Sequence, residues 1–208
     1  MKRLMVSSVV FILIWLACGR QEIIRKYYLL EVPMISDTTR VYQLINEEAT
    51  CEVAPAIVAP AFADRRIAIR IRDHELSYFQ NHLWATTPRD AFTHLFQTYL
   101  QRTGLFLTVS SKGWKILPRY ELATYVHQLE VVQNRKQFVA HLQMELFLRD
   151  TRQNKVVVYH SFDRYERIPV KDLNLFARAI SSILQTELDD FSRKISRTLQ
   201  TKPVDNTP

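Results

Sequence analysis

Three successive segments constrain the fold of this chain more than any other feature: Glu121–Val132, Gln137–Arg149 and Lys155–Arg167. In the middle one, Phe138, Ala140, Leu142, Met144, Leu146 and Leu148 alternate with His141, Gln143 and Glu145. A period of two marks a strand with one apolar face. The polar connections Gln133–Lys136 and Asp150–Asn154 turn the three into an antiparallel meander. Strands of about thirteen residues exceed the usual length, so they are expected to twist strongly and to project past the core. After Pro169 the period changes. Leu173, Phe176, Ile180, Ile183, Leu184, Leu188, Phe191, Ile195 and Leu199 form one helical stripe that begins at Lys171 or Asp172. At about 28 residues this helix is roughly 42 Å long, enough to cross a sheet.

The first half is less regular. Tyr27–Val32 reads as a strand stopped by Pro33, and Pro33–Thr50 as a surface excursion. Cys51–Val58 is a strand interrupted by Pro55, which places it at an edge or a bulge. In Arg65–Arg72, Ile67, Ile69 and Ile71 alternate with Arg66, Arg70 and Arg72. That strand has a basic outer face, suited to solvent, to an acidic partner or to lipid headgroups. Leu76–Phe79 resumes the strand pattern, and Trp84 is expected to pack the following loop onto the next helix. Thr86 or Thr87 caps that helix, Pro88 opens it and Gly104 ends it. Its stripe is Phe92, Leu95, Phe96, Tyr99 and Leu100. Leu105–Val109 is a further strand, and the loop after it carries Trp114, either buried or projecting as an interface anchor. The class is α+β: an antiparallel sheet of about five to seven strands with two amphipathic helices packed on one face.

The N-terminus stands apart. Lys2 and Arg3 precede the largely apolar Leu4–Ala17, too short for a comfortable membrane span. Leu16-Ala17-Cys18 resembles a bacterial lipobox, with Trp15 where leucine is usual. Cleavage before Cys18 and its lipidation would tether the chain to a membrane by acyl chains such as palmitate. An uncleaved anchor and ordinary secretion are the alternatives. Gly19, not Asp, follows the cysteine, which favours the outer membrane. Residues 1–17 thus read as a signal peptide, 18–26 as a lipidated tether, 27–200 as one domain and 201–208 as a disordered tail. With Cys18 acylated, Cys51 stands alone and no internal disulfide forms. Loss of Lys2 and Arg3 takes the net charge from +7 to +5, with no concentrated patch suited to nucleic acid.

Chemistry-bearing patterns are missing. The chain has no G-x-S-x-G, C-x-x-C, H-E-x-x-H or phosphate-binding loop spacing. His127, His141 and His160 lie on successive strands. The expected register sets position 141 near 129 and position 160 near 144, which keeps the three apart. No enzyme activity, metal or cofactor is expected.

Lys26–Pro33 (KYYLLEVP), the lipobox-like LAC and Val53–Leu100 together resemble the ABC-type transport auxiliary lipoproteins. The last stretch carries most of the likeness, with Tyr28, Leu30, Trp84, Pro88 and Leu95 as structural positions of the pattern. The resemblance implies a non-enzymatic, membrane-anchored periplasmic accessory of an MCE-type lipid transport system. Its partners would be an MCE-domain protein, an ABC permease and an ATPase, and phospholipid or further copies of the chain could join them. Apart from the resemblance, the basic face of Arg66, Arg70 and Arg72 and the loop residue Trp114 are the candidates for a partner- or lipid-facing surface. Two other readings stay open. One is a lipid-binding chaperone with a cavity lined by Phe92, Phe96, Leu142, Met144, Phe176 and Ile180. The other is an outer-membrane lipoprotein serving lipopolysaccharide export.

Overall fold

The computed structural model describes residues 24–31, 42–111, 117–134 and 137–200. The lipobox and Cys18, most of the expected excursion after Pro33, Trp114 and the 201–208 tail lie outside those residues. The described chain is an α+β fold whose three alternating segments become β7 (Tyr120–Asn134), β8 (Gln137–Asp150) and β9 (Lys155–Ile168). They pair antiparallel in sequence order. On β8 the even-numbered apolar residues are all buried, and they face the helices.

The long strands do not overhang the core. β8 lines one side of β7 throughout, and three short strands share the other side in parallel orientation. These are β2 (Thr50–Val53), β3 (Ile57–Val58) and β4 (Arg66–Arg72), met in that order along β7. β2 continues to β6 (Thr108–Ser111), while β4 continues to β5 (Glu75–Trp84) and then to β1 (Lys26–Tyr28). The described sheet therefore has nine strands and is mixed, larger than the five to seven antiparallel strands expected. Parallel pairing needs distant segments to meet, and no local pattern announces that. β2 is interior rather than at an edge, and Pro55 falls in the gap between β2 and β3. There the freed backbone is satisfied elsewhere: Ala54 N–H donates to Leu122 C=O, and Ala56 N–H to Thr93 Oγ1.

Helix α1 (Pro88–Thr103) starts and stops as its sequence dictates. Thr87 Oγ1 accepts the Asp90 N–H, Pro88 sits where no backbone donor is needed, and Gly104 closes the helix at φ 69°. Helix α2 (Leu173–Gln200) is capped by Asp172, whose Oδ1 accepts the Asn174 N–H. α1 packs over β2, β3 and β6, and α2 over β8, β9 and β1. The two are joined where Tyr99 Oη donates to Asp189 at 2.5 Å. Trp84 is buried, and its ring lies 5.7 Å from Phe176 of α2, so it packs against the second helix, a contact the sequence did not announce.

One irregularity in β7 organises both faces of the sheet. The ladder to β8 shifts between Val126 and Gln128, leaving His127 as the extra residue of a β-bulge. Before it Leu122, Thr124 and Val126 face the helices; after it Leu129 and Val131 do. The change of phase moves Glu130 to the opposite face, directly across from His141.

Candidate partner-facing surface

Both helices cover one face of the sheet, and the other carries most of the polar and aromatic groupings. Its first cluster is built on Glu130, which is 1% exposed. Oε1 of that carboxylate accepts from Arg70 Nε at 2.8 Å and lies 3.1 Å from His141 Nδ1. His141 Nε2 lies 2.9 Å from Asp163 Oδ1, and the Tyr165 ring stacks on the imidazole at 4.0 Å. Burial pushes the Glu130 carboxyl up, but the hydrogen bonds from His141 and Arg70 outweigh it and hold it below the usual carboxylate range. The arrangement is a buried ion-pair relay tying β4, β7, β8 and β9 together.

Beside it lies a more apolar lane. The Tyr125 and Tyr159 rings flank Phe147 at 5.7 and 4.9 Å, and Ile57 stands level with Tyr125. Ile57, Tyr125, Val156, Tyr159 and Tyr165 are all exposed. His127, projected by the bulge, pairs with Glu145, which also accepts from Tyr159 Oη at 2.8 Å. Glu121 pairs with Arg149 at the far end of the lane. The two clusters border an open depression of about 750 Å³ floored by Gln128, Gln143 and Ser161.

The three arginines expected on a free basic face are each paired with an acid. Arg66 bonds Asp64 at 2.8 Å and lies over the Tyr78 ring at 4.5 Å. Arg72 pairs with Glu75 at 3.3 Å. Arg70 is half-buried in the Glu130 relay, bonded also to the Asp73 carbonyl. Arg66 and Arg72, with side chains 51% and 82% exposed, remain at the surface.

The positions carrying the family pattern are packing positions. Tyr28 Oη meets His82 Nδ1 at 2.7 Å and the two rings stack, while Leu30 rests on the core. Pro88 and Leu95 are on the buried side of α1. Each histidine of the long strands has its own carboxylate: His127 has Glu145, His141 has Glu130 and Asp163, His160 has Glu187. His141 stands opposite Glu130 and His160 opposite Leu146, one and two residues from the register expected, because the β7–β8 hairpin closes on Asn134 and Gln137 and the β8–β9 ladder shifts between Leu148 and Arg149.

On the helix side, Glu187 of α2 is a buried carboxylate that sequence reasoning passed over. It accepts from His160 Nε2 at 2.8 Å and Arg164 Nε at 2.6 Å. Lys194 Nζ donates to His160 Nδ1 at 2.7 Å, which fixes the proton on Nε2. Burial, with the nearby Lys194 charge, pulls the His160 pKa below its ordinary value despite the pull of Glu187. The available signal was position: Glu187 lies seven residues after Ile180, on the apolar stripe.

With this geometry in view, the comparisons with known proteins are specific. The family of ABC-type transport auxiliary lipoprotein components matches residues 28–191, and the chain belongs to it. It is accordingly an accessory, non-enzymatic lipoprotein component of a transport system. Protein XCC0632 from Xanthomonas campestris is similar in fold, at 17% identity and a TM-score of 0.63, covering 84% of this chain and 93% of its own. The hypothetical protein CT253 from Chlamydia trachomatis is similar at 7% identity and a TM-score of 0.50, covering 74% of this chain and 99% of its own. No curated protein sequence matches the chain.

Proposed function

We propose that the protein is an accessory of an MCE/ABC-type system that moves lipid or another hydrophobic substrate between bacterial membranes. It is held by acyl chains on Cys18, faces the periplasm, and sits on the outer membrane. The observation that carries this reading is the family match across most of the sheet and both helices, residues 28–191. No helix among the described residues is long and apolar enough to cross a membrane, and the lipobox-like Leu16-Ala17-Cys18 supports the acyl anchor. The helix-free face, with Tyr125, Phe147 and Tyr159 bordered by ion pairs and with Arg66 and Arg72 along β4, is the surface we assign to the MCE-domain partner. Exposed aromatics ringed by polar groups have the composition of a protein interface.

The core weighs against a lipid-binding chaperone. Phe92, Phe96, Leu142, Met144, Phe176 and Ile180, the residues expected to line a lipid cavity, are 0–1% exposed and belong to one packed apolar cluster. A lipid tail between sheet and helices would have to displace them.

The test is reconstitution. The full-length chain and an MCE-domain protein of the same organism, mixed in detergent, should co-elute on size exclusion, and Tyr159→Asp should weaken the complex about tenfold or more. Separate elution of two folded proteins would sink the proposal, and an undiminished complex with Tyr159→Asp would remove the helix-free face from it.

A further inference from the structure

Among the described residues β9 pairs only with β8, so its other side is a sheet edge fourteen residues long. Such an edge presents backbone donors and acceptors to another strand and is ordinarily blunted by charge, bulges or a covering segment. The charges on β9 are not a scatter. Asp163-Arg164-Tyr165-Glu166-Arg167 is charge-complementary to its own reverse. When two such strands run antiparallel with Tyr165 opposite Tyr165, Asp163 faces Arg167 and Arg164 faces Glu166. The two-fold repeats both pairs, giving four acid–base contacts and no like charges face to face. Phe162 then faces Ile168, two residues that already close the apolar core on the helix side.

We propose that a second copy of this chain occupies the β9 edge, through an isologous antiparallel pairing of residues 162–168 centred on Tyr165. The two-fold axis stands perpendicular to the sheet, so both copies keep their helices on one side and their helix-free faces on the other. Parity fixes this: residues directly opposite share a face, and only registers matching odd with odd positions preserve it. Among those registers, no other sets more than one distinct acid–base pair in opposition. A slip of two residues sets Arg164 or Glu166 opposite itself, and like charges directly opposite destabilise a sheet. Tyr165 is available for the role, being 61% exposed. The pairing joins two helix-free faces into one continuous surface and is independent of what the transport system carries.

The experiment uses the full-length chain in its own membranes. Tyr165→Cys is oxidised with copper phenanthroline and read as dimer on a non-reducing gel. Opposed positions of an antiparallel pair lie within disulfide reach. Tyr159→Cys, exposed on the same face but without an opposed copy, is the comparison. The unsubstituted chain reports any dimer made through its native cysteines, of which Cys51 keeps its thiol when Cys18 is acylated. The expected result is dimer at least fivefold above both controls for Tyr165→Cys. Adding Arg167→Asp should abolish it, and Asp163→Arg with Arg167→Asp should restore it. Crosslinking at position 165 no greater than at 159, or unaffected by Arg167→Asp, would overturn the proposal. So would a charge swap that fails to restore the dimer in a chain that melts like its parent.

Discussion

Glu130 and Glu187 are the residues on which the polar part of this fold turns. Each is a buried carboxylate that accepts from one arginine and meets one histidine. Removing one partner of such a set leaves charge in a low-dielectric site, at a cost of about 3 kcal/mol. Glu130→Gln should therefore lower stability by about that amount in urea unfolding, with an unchanged denaturant slope. Acid should weaken the fold in two stages. The His160 pKa is lower folded than unfolded, so the unfolded chain binds the extra proton and stability falls as pH drops below about 6.5. Glu130 is also depressed, and its contribution is lost only below about 4.5. Melting measured from pH 8 to pH 4 should show the first stage in the parent chain and a smaller one in His160→Gln, since burial also lowers the His82 pKa and leaves that contribution in place. A first stage of undiminished size in His160→Gln would reject the assignment.

At the scale of elements, what reads out of the sequence is what depends on neighbours along the chain. Thr87, Pro88 and Gly104 bound α1 through their own backbone chemistry, and each does so where expected. Alternation in residues 137–149 names the buried face of β8 residue by residue. The rest depends on contacts no period encodes. The bulge at His127 inverts the faces of β7, so Glu130, flanked by apolar Leu129 and Val131, had no visible partner. The parallel seams of β7 with β2, β3 and β4 join segments about sixty to seventy residues apart. Trp84 was legible as an anchor, but its target Phe176 lies more than ninety residues later. Trp84→Ala should cost about 3–5 kcal/mol by opening a cavity between β5 and α2. Gly104→Ala, forcing a Cβ into a left-handed position, should cost about 1 kcal/mol. Chemical denaturation of the two variants should rank them in that order; equal losses would contradict the role given to Trp84.

For the whole molecule, the architecture separates three tasks. Burial of the helices on one face stabilises the domain; in the proposed account the opposite face serves recognition and the N-terminus attachment. Radiolabelled palmitate should enter the chain and be lost on Cys18→Ala; undiminished labelling in that variant would reject Cys18 as the anchor. The measurement that bears most directly on the central claim is capture of the tagged full-length chain from its native membranes in mild detergent, followed by identification of what accompanies it. An MCE-domain protein, an ABC permease and its ATPase should be recovered together with the chain. Recovery of the chain with bound lipid and none of those three would contradict the account.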